Sequence, residues 1–300
     1  MKHKEKKKKK RGNALGIWFF TLFFRVAGLN GAYFLLYLVA FYYLLFDLQS
    51  LQFAKVYLTK RFKDLNFFSI KVKSYLLFVQ LGKQLIDRYV SLIKPGFFDF
   101  ELKGADSFSL MCNDSQGFIL LTSHVGSWQT AMQGFKDIKK EVYLLKLGEE
   151  NLSLKDKLKV DPDSAKIKSI SPKQFLGGIV EVINVLKKGA IVSMMGDRSY
   201  GADCLDVDFF NGEASFPYSA FHIAAVEKCK IVVLTCAKVS SRKYLLNLEN
   251  SITVEYQGRK NKKEQLRKYL RQYTNILENF LEEYPYQCFI FDNIWKDDKL

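Results

Sequence analysis

The sequence is poor in the residues that build metal centres and covalent cross-links. Five cysteines (Cys112, Cys204, Cys229, Cys236, Cys288) are scattered over 300 residues, with no CxxC pair and no Cys/His cluster. That pattern excludes a disulfide framework and a structural zinc site, and the odd count reads as reduced, mostly buried thiols facing a cytoplasm-like compartment. Histidine is scarcer still: His3, His124 and His222 are the whole supply. Acidic side chains are also outnumbered, 31 against 46 basic ones, for a net charge of +15. Nearly half of that excess sits in residues 1–11, MKHKEKKKKKR. The rest of the chain is therefore only moderately basic, which argues against a nucleic-acid binder and for a polybasic tail on an ordinary body. No internal repeat is present, and no low-complexity stretch beyond that tail.

What is abundant is apolar surface. A hydrophobic content of 48% is ample for the core of one large domain or two modest ones. Aromatic content is high, with 26 Phe and 16 Tyr, and many of these crowd into residues 18–46. Residues 14–24, ALGIWFFTLFF, carry no charge; after Arg25, residues 26–46 run uncharged for 21 positions. About 20 apolar residues suffice to cross a bilayer as a helix. A signal peptide would have a shorter apolar region ending in small residues, and FYYLLFD is no such site. A buried core helix is the soluble alternative. Residues 12–46 are expected to be embedded in a membrane. Basic residues flank the segment on both sides (Lys55, Lys60, Arg61 and Lys63 follow it), so a single span would export the body. Gly28, Asn30 and Gly31 supply a point where the helix can break. A monotopic hairpin or in-plane pair keeps both ends cytoplasmic. The tail either adds attraction to anionic lipid, about 1 kcal/mol per charge near the surface, or is a solvated extension.

Residues 47–105 read as a helical region, with apolar positions recurring at three and four through SYLLFVQLGKQLIDRYVSLI until Pro95 and Gly96 close it. From 106 to 300 the pattern changes. Strand-like runs appear at 117–123, 142–147, 166–170, 190–195, 230–237, 243–248, 251–256 and 287–292. Helical stretches intervene at 169–189 (Ser171 as cap, Pro172 in the first turn), 217–229 and 262–284. The expectation is an α/β fold: a central mixed sheet flanked by helices, behind an N-terminal membrane-embedded helical segment.

Such sheets bind ligands beyond the carboxyl ends of their strands. His124 stands just past FILLTS, on that edge. A neutral imidazole there can take a proton at neutral pH; equally, a lone histidine can be just a polar residue at a strand end. Gly126 lets backbone approach closely, and the residues from Ser127 onward can open a helix. AIVSMM delivers Asp197 and Arg198 to what the pattern suggests is the same edge, where a guanidinium suits phosphate or carboxylate; the alternative is a surface charge pair. Phe209 and Phe210 precede an Asn211–Gly212 turn, with core packing as their default. His222, in YSAFHIAAVEK, reads as a structural histidine beside core residues.

Taken together, HVGSWQ (124–129), MGDRSYG (195–201) and VDFFNGEASFP (207–217) resemble, in order and spacing, three motifs of the late acyltransferases of lipid A biosynthesis, within the lysophospholipid acyltransferase superfamily. RGNALGIWFF and QCFIFDNIW (287–295) are similar to that family's two ends, so the likeness runs from about residue 11 to 295. The resemblance implies a glycerol-3-phosphate acyltransferase-like fold. It also implies transfer of a fatty acyl chain from a thioester, on acyl carrier protein or coenzyme A, to a hydroxyl or amine of a lipid acceptor. No cofactor or metal is implied. The site would face the cytoplasm at a bacterial inner membrane, and an acidic carrier protein suits a positive surface. His124 matches the family's general base and Arg198 its substrate-binding arginine. Asp197, Gly126, Trp128, Phe209, Phe210 and Pro217 fall in the substrate-binding motifs. One departure stands out: the family places an acid five residues after the histidine, and here that residue is Gln129. Glutamine is expected to orient the imidazole without contributing charge, giving a weaker base. Asp197 could replace the acid in space, and a lipid-binding relative without catalysis is the alternative.

Overall fold

A computed structural model describes residues 14–132, 138–145, 167–171, 178–199, 202–258 and 260–296. The polybasic tail, His3 and Pro172 lie outside them. The chain opens with three helices, α1 (Ala14–Phe46), α2 (Leu48–Arg61) and α3 (Phe67–Ile93). There follow β1 (Asp99–Lys103), α4 (Ala105–Asn113), β2 (Phe118–Thr122), the single turn α5 (Trp128–Ala131), β3 (Val142–Leu145) and β4 (Ile167–Ile170). Next come α6 (Ile179–Lys187), β5 (Ile191–Met195), the hairpin β6 (Cys204–Asp208) and β7 (Glu213–Pro217), and α7 (Ser219–Glu227). The chain closes with β8 (Lys230–Val233), β9 (Thr235–Lys238), β10 (Lys243–Asn247), β11 (Ser251–Thr253), α8 (Lys262–Gln265) and α9 (Arg267–Glu283).

The central sheet has the order β11-β8-β2-β5-β3-β4, parallel except for β11 at its edge. Both faces are covered. Ile119, Leu121, Val192, Ile231 and Val233 belong to the core on one side; Phe118, Leu120, Ile191 and Val232 belong to the core on the other. A strand buried on both faces has no need of polar alternation, which is why FILLT and KIVV read as unbroken apolar runs. The mixed α/β architecture is the one the sequence pattern leads to.

Several boundaries differ from the sequence expectation. The run 230–237 is two strands: after Val233 the chain bends at Leu234, whose N–H donates to Leu121 O (3.0 Å), and β9 joins a second sheet of order β1-β10-β9. β1 lies inside the stretch expected to be helical and pairs in parallel with β10. The long helical region breaks at residues 62–66, where the Asn66 side chain caps α3 by accepting the Ser69 N–H (2.8 Å). Of the stretch 169–189 expected to be helical, residues 169–170 belong to β4, helix α6 runs over Ile179–Lys187 behind a left-handed Gly178, and the expected first turn at Pro172 lies outside the described residues. Residues 287–292 form no strand; their β pairing is limited to an isolated bridge, Val125 to Cys288. His222 is no core residue either: it lies on the exposed side of α7, with Nδ1 2.5 Å from the Tyr256 hydroxyl.

Helix α1 breaks where the sequence suggests, at Gly28 (φ 64°, ψ −157°). Leu29, Ala32, Tyr33, Leu36 and Ala40, at helical spacing, are buried, and α1 packs along α3. The opposite face carries Phe34, Leu38, Phe41, Tyr42 and Phe46, all more than half exposed, and α3 opens with Phe67 and Phe68, each 74% exposed. Trp18–Phe46 is long and apolar enough to cross a membrane. Soluble monomers rarely show so continuous an apolar face, and membrane association accounts for it.

One buried polar cluster locks these helices to the sheets. Asp87 of α3, fully buried, takes hydrogen bonds from Tyr33 of α1, Tyr244 of β10 and Lys238 of β9. Lys238 also donates to Ser241 O (2.9 Å), and Gln287 brackets its backbone, accepting from Lys238 N and donating to Lys238 O at 2.9 Å each. Removing one partner of such a pair strands the other charge in a dry interior. Asp87→Ala is expected to lower unfolding stability by about 3–5 kcal/mol, and Tyr33→Phe by about 1 kcal/mol, read by denaturant titration in detergent.

Candidate active site

The register of the parallel pair β2 and β5 sets the site. Thr122 lies opposite Met195, so two residues further each chain delivers its functional side chain at the same level: His124 from β2 and Asp197 from β5. Neighbouring strands run about 4.8 Å apart, within reach of both side chains. His124 Nδ1 and Asp197 Oδ2 are 2.9 Å apart, and the same oxygen accepts the His124 backbone N–H at 3.0 Å. The carboxylate thus holds both the ring and the turn that carries it. Asp197 has no exposed side-chain surface, whereas the His124 side chain is 20% exposed.

Burial pushes the Asp197 carboxyl up, but the His124 ring, the Arg198 guanidinium and the His124 N–H together outweigh it and hold it below the usual carboxylate range. An ionised carboxylate has no proton to give, so Nδ1 carries the hydrogen, and in a neutral ring of that tautomer Nε2 bears the lone pair. Gln129 has another partner. Its Oε1 accepts from Arg88 Nη1 of α3 at 2.6 Å, so the residue at the motif's acid position is engaged with a cation and the group oriented on His124 is Asp197. Arg88 escapes sequence reading because it looks like one more charge on an amphipathic helix.

The loop is shaped by glycine and by the C-terminal segment. Gly126 has φ 74°, its N–H donates to Gln287 O (2.7 Å), and a Cβ there would lie 2.3 Å from Cys236 O. Only glycine fits. Ser127 N–H donates to Cys236 O (2.8 Å), and Phe289 N–H to His124 O (2.8 Å). Trp128, half-buried, opens α5. Arg198 Nη2 donates to Phe289 O (2.8 Å), while its Nε, like Asp197 Oδ1, is buried without a partner. Cys288 lies beside this loop, but burial pushes its thiol up to about 12, which leaves it no nucleophile at neutral pH.

The third motif sits behind the site. Phe209 is fully buried, stacked on Trp295 (5.6 Å between centroids) and edge-on to Phe216; Pro217 is buried in β7. Phe210, left-handed at φ 52°, packs under the Arg61 guanidinium. Phe216 meets Tyr273 of α9 edge-on, and the Tyr273 hydroxyl donates to Thr122 O (3.3 Å) at the end of β2. Phe209 and Pro217, expected as substrate contacts, are buried and lie in the hairpin that braces the strand end from behind. Among the described residues no group of acidic, His and Cys side chains could hold a metal ion.

No curated protein sequence matches the chain. Its fold can be superposed on the crystal structure of the 1-acyl-sn-glycerophosphate (LPA) acyltransferase PlsC from Thermotoga maritima, at 12% identity and a TM-score of 0.38 over 84% of this chain and 95% of that one. The family model described as bacterial lipid A biosynthesis acyltransferase matches residues 88–297, and the chain belongs to that family.

Proposed function

We propose that this acyltransferase moves a fatty acyl chain from an acyl carrier protein thioester to a hydroxyl or amine of a lipid A precursor or similar aminolipid, with His124 as general base and Asp197 orienting it. The observation that carries the reading is the contact of a buried, ionised Asp197 with Nδ1 of a partly exposed His124. In this scheme Nε2 takes the proton from the acceptor hydroxyl as its oxygen attacks the thioester carbonyl carbon. The resulting imidazolium is stabilised by Asp197, as in other His–acid pairs. When the tetrahedral intermediate collapses, the C–S bond breaks and the proton passes to the departing thiolate. The products are the acylated lipid and the free carrier thiol. The Arg198 guanidinium, pinned to Phe289 O beside Asp197, contributes positive potential where negative charge develops.

The non-catalytic alternative rested on the missing charge at Gln129, and Asp197 supplies that charge from the neighbouring strand. Monotopic insertion suits α1 better than a span. Residues 29–46, beyond the Gly28 break, rise about 27 Å, short of the roughly 30 Å hydrocarbon core, and one side of the segment is packed on α3. With both flanks basic, the site would face the cytoplasm at the inner membrane, and the excess positive charge suits an acidic carrier protein.

Acyl transfer from labelled acyl carrier protein to membrane lipids, resolved by mass, tests the scheme. His124→Ala is expected to abolish product, and Asp197→Asn to lower kcat by about 10²–10⁴. Gln129→Ala should cost less than about tenfold, since general-base strength is set elsewhere. Equal losses in Asp197→Asn and Gln129→Ala would overturn the assignment of the orienting group. Gly126→Ala should lose activity together with thermal stability. The Asp197 carboxyl is held below its unfolded value, so its contribution to stability is complete above the ordinary carboxylate value of about 3.9 and is lost as pH falls through the lower folded value. The stability gap between wild type and Asp197→Asn should therefore be flat at neutral pH and close only in strong acid, as measured by urea unfolding against pH.

A further inference from the structure

Tyr273 of α9 and Gly196, between β5 and Asp197, meet at the β2–β5 edge, and the proton transfer uses neither. Tyr273 has no exposed surface. It shares the inner stripe of α9 with Leu270 and Leu277, about one turn away on either side and equally buried. A third apolar side chain would complete that stripe, whereas a phenol carries a hydroxyl into the core, which is unfavourable unless the hydroxyl is bonded. Burial, with the Asp197 charge adding to it, raises the phenol well above its ordinary value, so the group is a neutral donor. It donates to Thr122 O (3.3 Å). The same oxygen accepts the Gly196 N–H (2.9 Å). One carbonyl, two residues before His124, thus ties the ends of β2 and β5 to α9. Gly196 is explained by the same phenol. Its φ is not left-handed, so its backbone suits other residues as well. Space is what forbids them: a Cβ there would lie 2.8 Å from the Tyr273 hydroxyl oxygen and 2.9 Å from Cζ. The glycine of MGDRSYG therefore makes room for the phenol directly before Asp197.

We infer that Tyr273 is a positioning residue of the site: through Thr122 O and the space left at Gly196 it sets the separation of the two strand ends, and with it the contact between His124 Nδ1 and Asp197 Oδ2. Its effect on rate rests on the acyl-transfer reading above; its effect on the His–Asp contact rests on geometry alone. The sheet register ends at Thr122 and Met195. Beyond that point no further rung of the sheet holds His124 level with Asp197, and the bonds converging on Thr122 O are the last fixed reference. A misplacement of about 1 Å at a reacting group is enough to cost on the order of 10²-fold in rate. The hydroxyl therefore matters to the reaction without touching a substrate.

The test compares Tyr273→Phe, which keeps the ring and removes only the hydroxyl, with wild type as full-length protein in detergent micelles. With three histidines in the chain, nitrogen-15 labelling of the imidazoles gives few signals, and His124→Ala identifies the one from His124. Wild type is expected to show a slowly exchanging Nδ1 proton, shifted downfield by its bond to Asp197. Tyr273→Phe should lose most of that signal. It should also lower kcat for transfer from labelled acyl carrier protein by about 10–100-fold, with KM changed by less than about twofold. Phe221→Leu thins the packing against the Tyr273 ring (6.1 Å between centroids) and leaves the hydroxyl in place. It should lower the melting temperature and keep both the proton signal and kcat. A signal undiminished in Tyr273→Phe, or lost as fully in Phe221→Leu, overturns the inference. The reading it rests on fails separately: a proton signal that depends on Tyr273, in a protein that transfers no acyl chain, removes the catalytic scheme and leaves the positioning intact. No Nδ1 proton signal in wild type overturns both.

Discussion

The hydrogen-bond register between β2 and β5 is the constraint on which the rest of the molecule depends. Parallel strands carry their carboxyl ends to the same edge, and pairing Thr122 with Met195 brings His124 level with Asp197. A slip of one residue would turn every side chain of β2 to the other face. Both faces of that strand are buried, so the core that covers the sheet also guards the geometry of the dyad. Gly196 N–H to Thr122 O (2.9 Å) and the Tyr273 hydroxyl to the same carbonyl fasten the strand end just before the reactive residues.

Around this edge the molecule is layered by function. Behind it, the β6–β7 hairpin, Trp295 and α9 form an aromatic brace that reaches the site through Phe216 and Tyr273. Beneath the loop, the segment 287–291 trades backbone hydrogen bonds with Gly126 and His124 and anchors Arg198. Above it, α3 joins the apolar α1 to the His124 loop, with Asp87 and Arg88 as adjacent residues making the two connections. The membrane-facing helices are thus pinned to the chemistry within a single helical turn.

Much of this was legible in the sequence, and the exceptions have physical causes. The α/β class, most strands of the central sheet, the break at Gly28 and the positions of His124 and Asp197 on one edge follow from local periodicity and from motif order. The partner of the imidazole did not follow, because motif spacing points to Gln129 while strand register points to Asp197, and register is a long-range property. Arg88 and Gln287 act through backbone or amide contacts that leave no mark in composition. Residues 287–292 look like a strand because Cys288–Phe291 is an apolar, aromatic-rich run, yet they are buried by the loop and hairpin they clamp instead of by a sheet. The division of 230–237 between two sheets is likewise invisible, since the apolar run continues through the bend.

The cluster around Asp87 also bears on how the chain is made. Tyr33 and Asp87 are 54 residues apart, whereas Lys238 lies 151 residues beyond Asp87. At roughly 5–20 residues per second of synthesis, the carboxylate waits on the order of 10–30 s for its counter-ion. Throughout that interval α1 and α3 are complete while the sheets that cover their polar side do not yet exist. The apolar helices therefore emerge with their polar side uncovered before the β2–β5 edge is complete, and the pairing of His124 with Asp197 waits for a strand made after them.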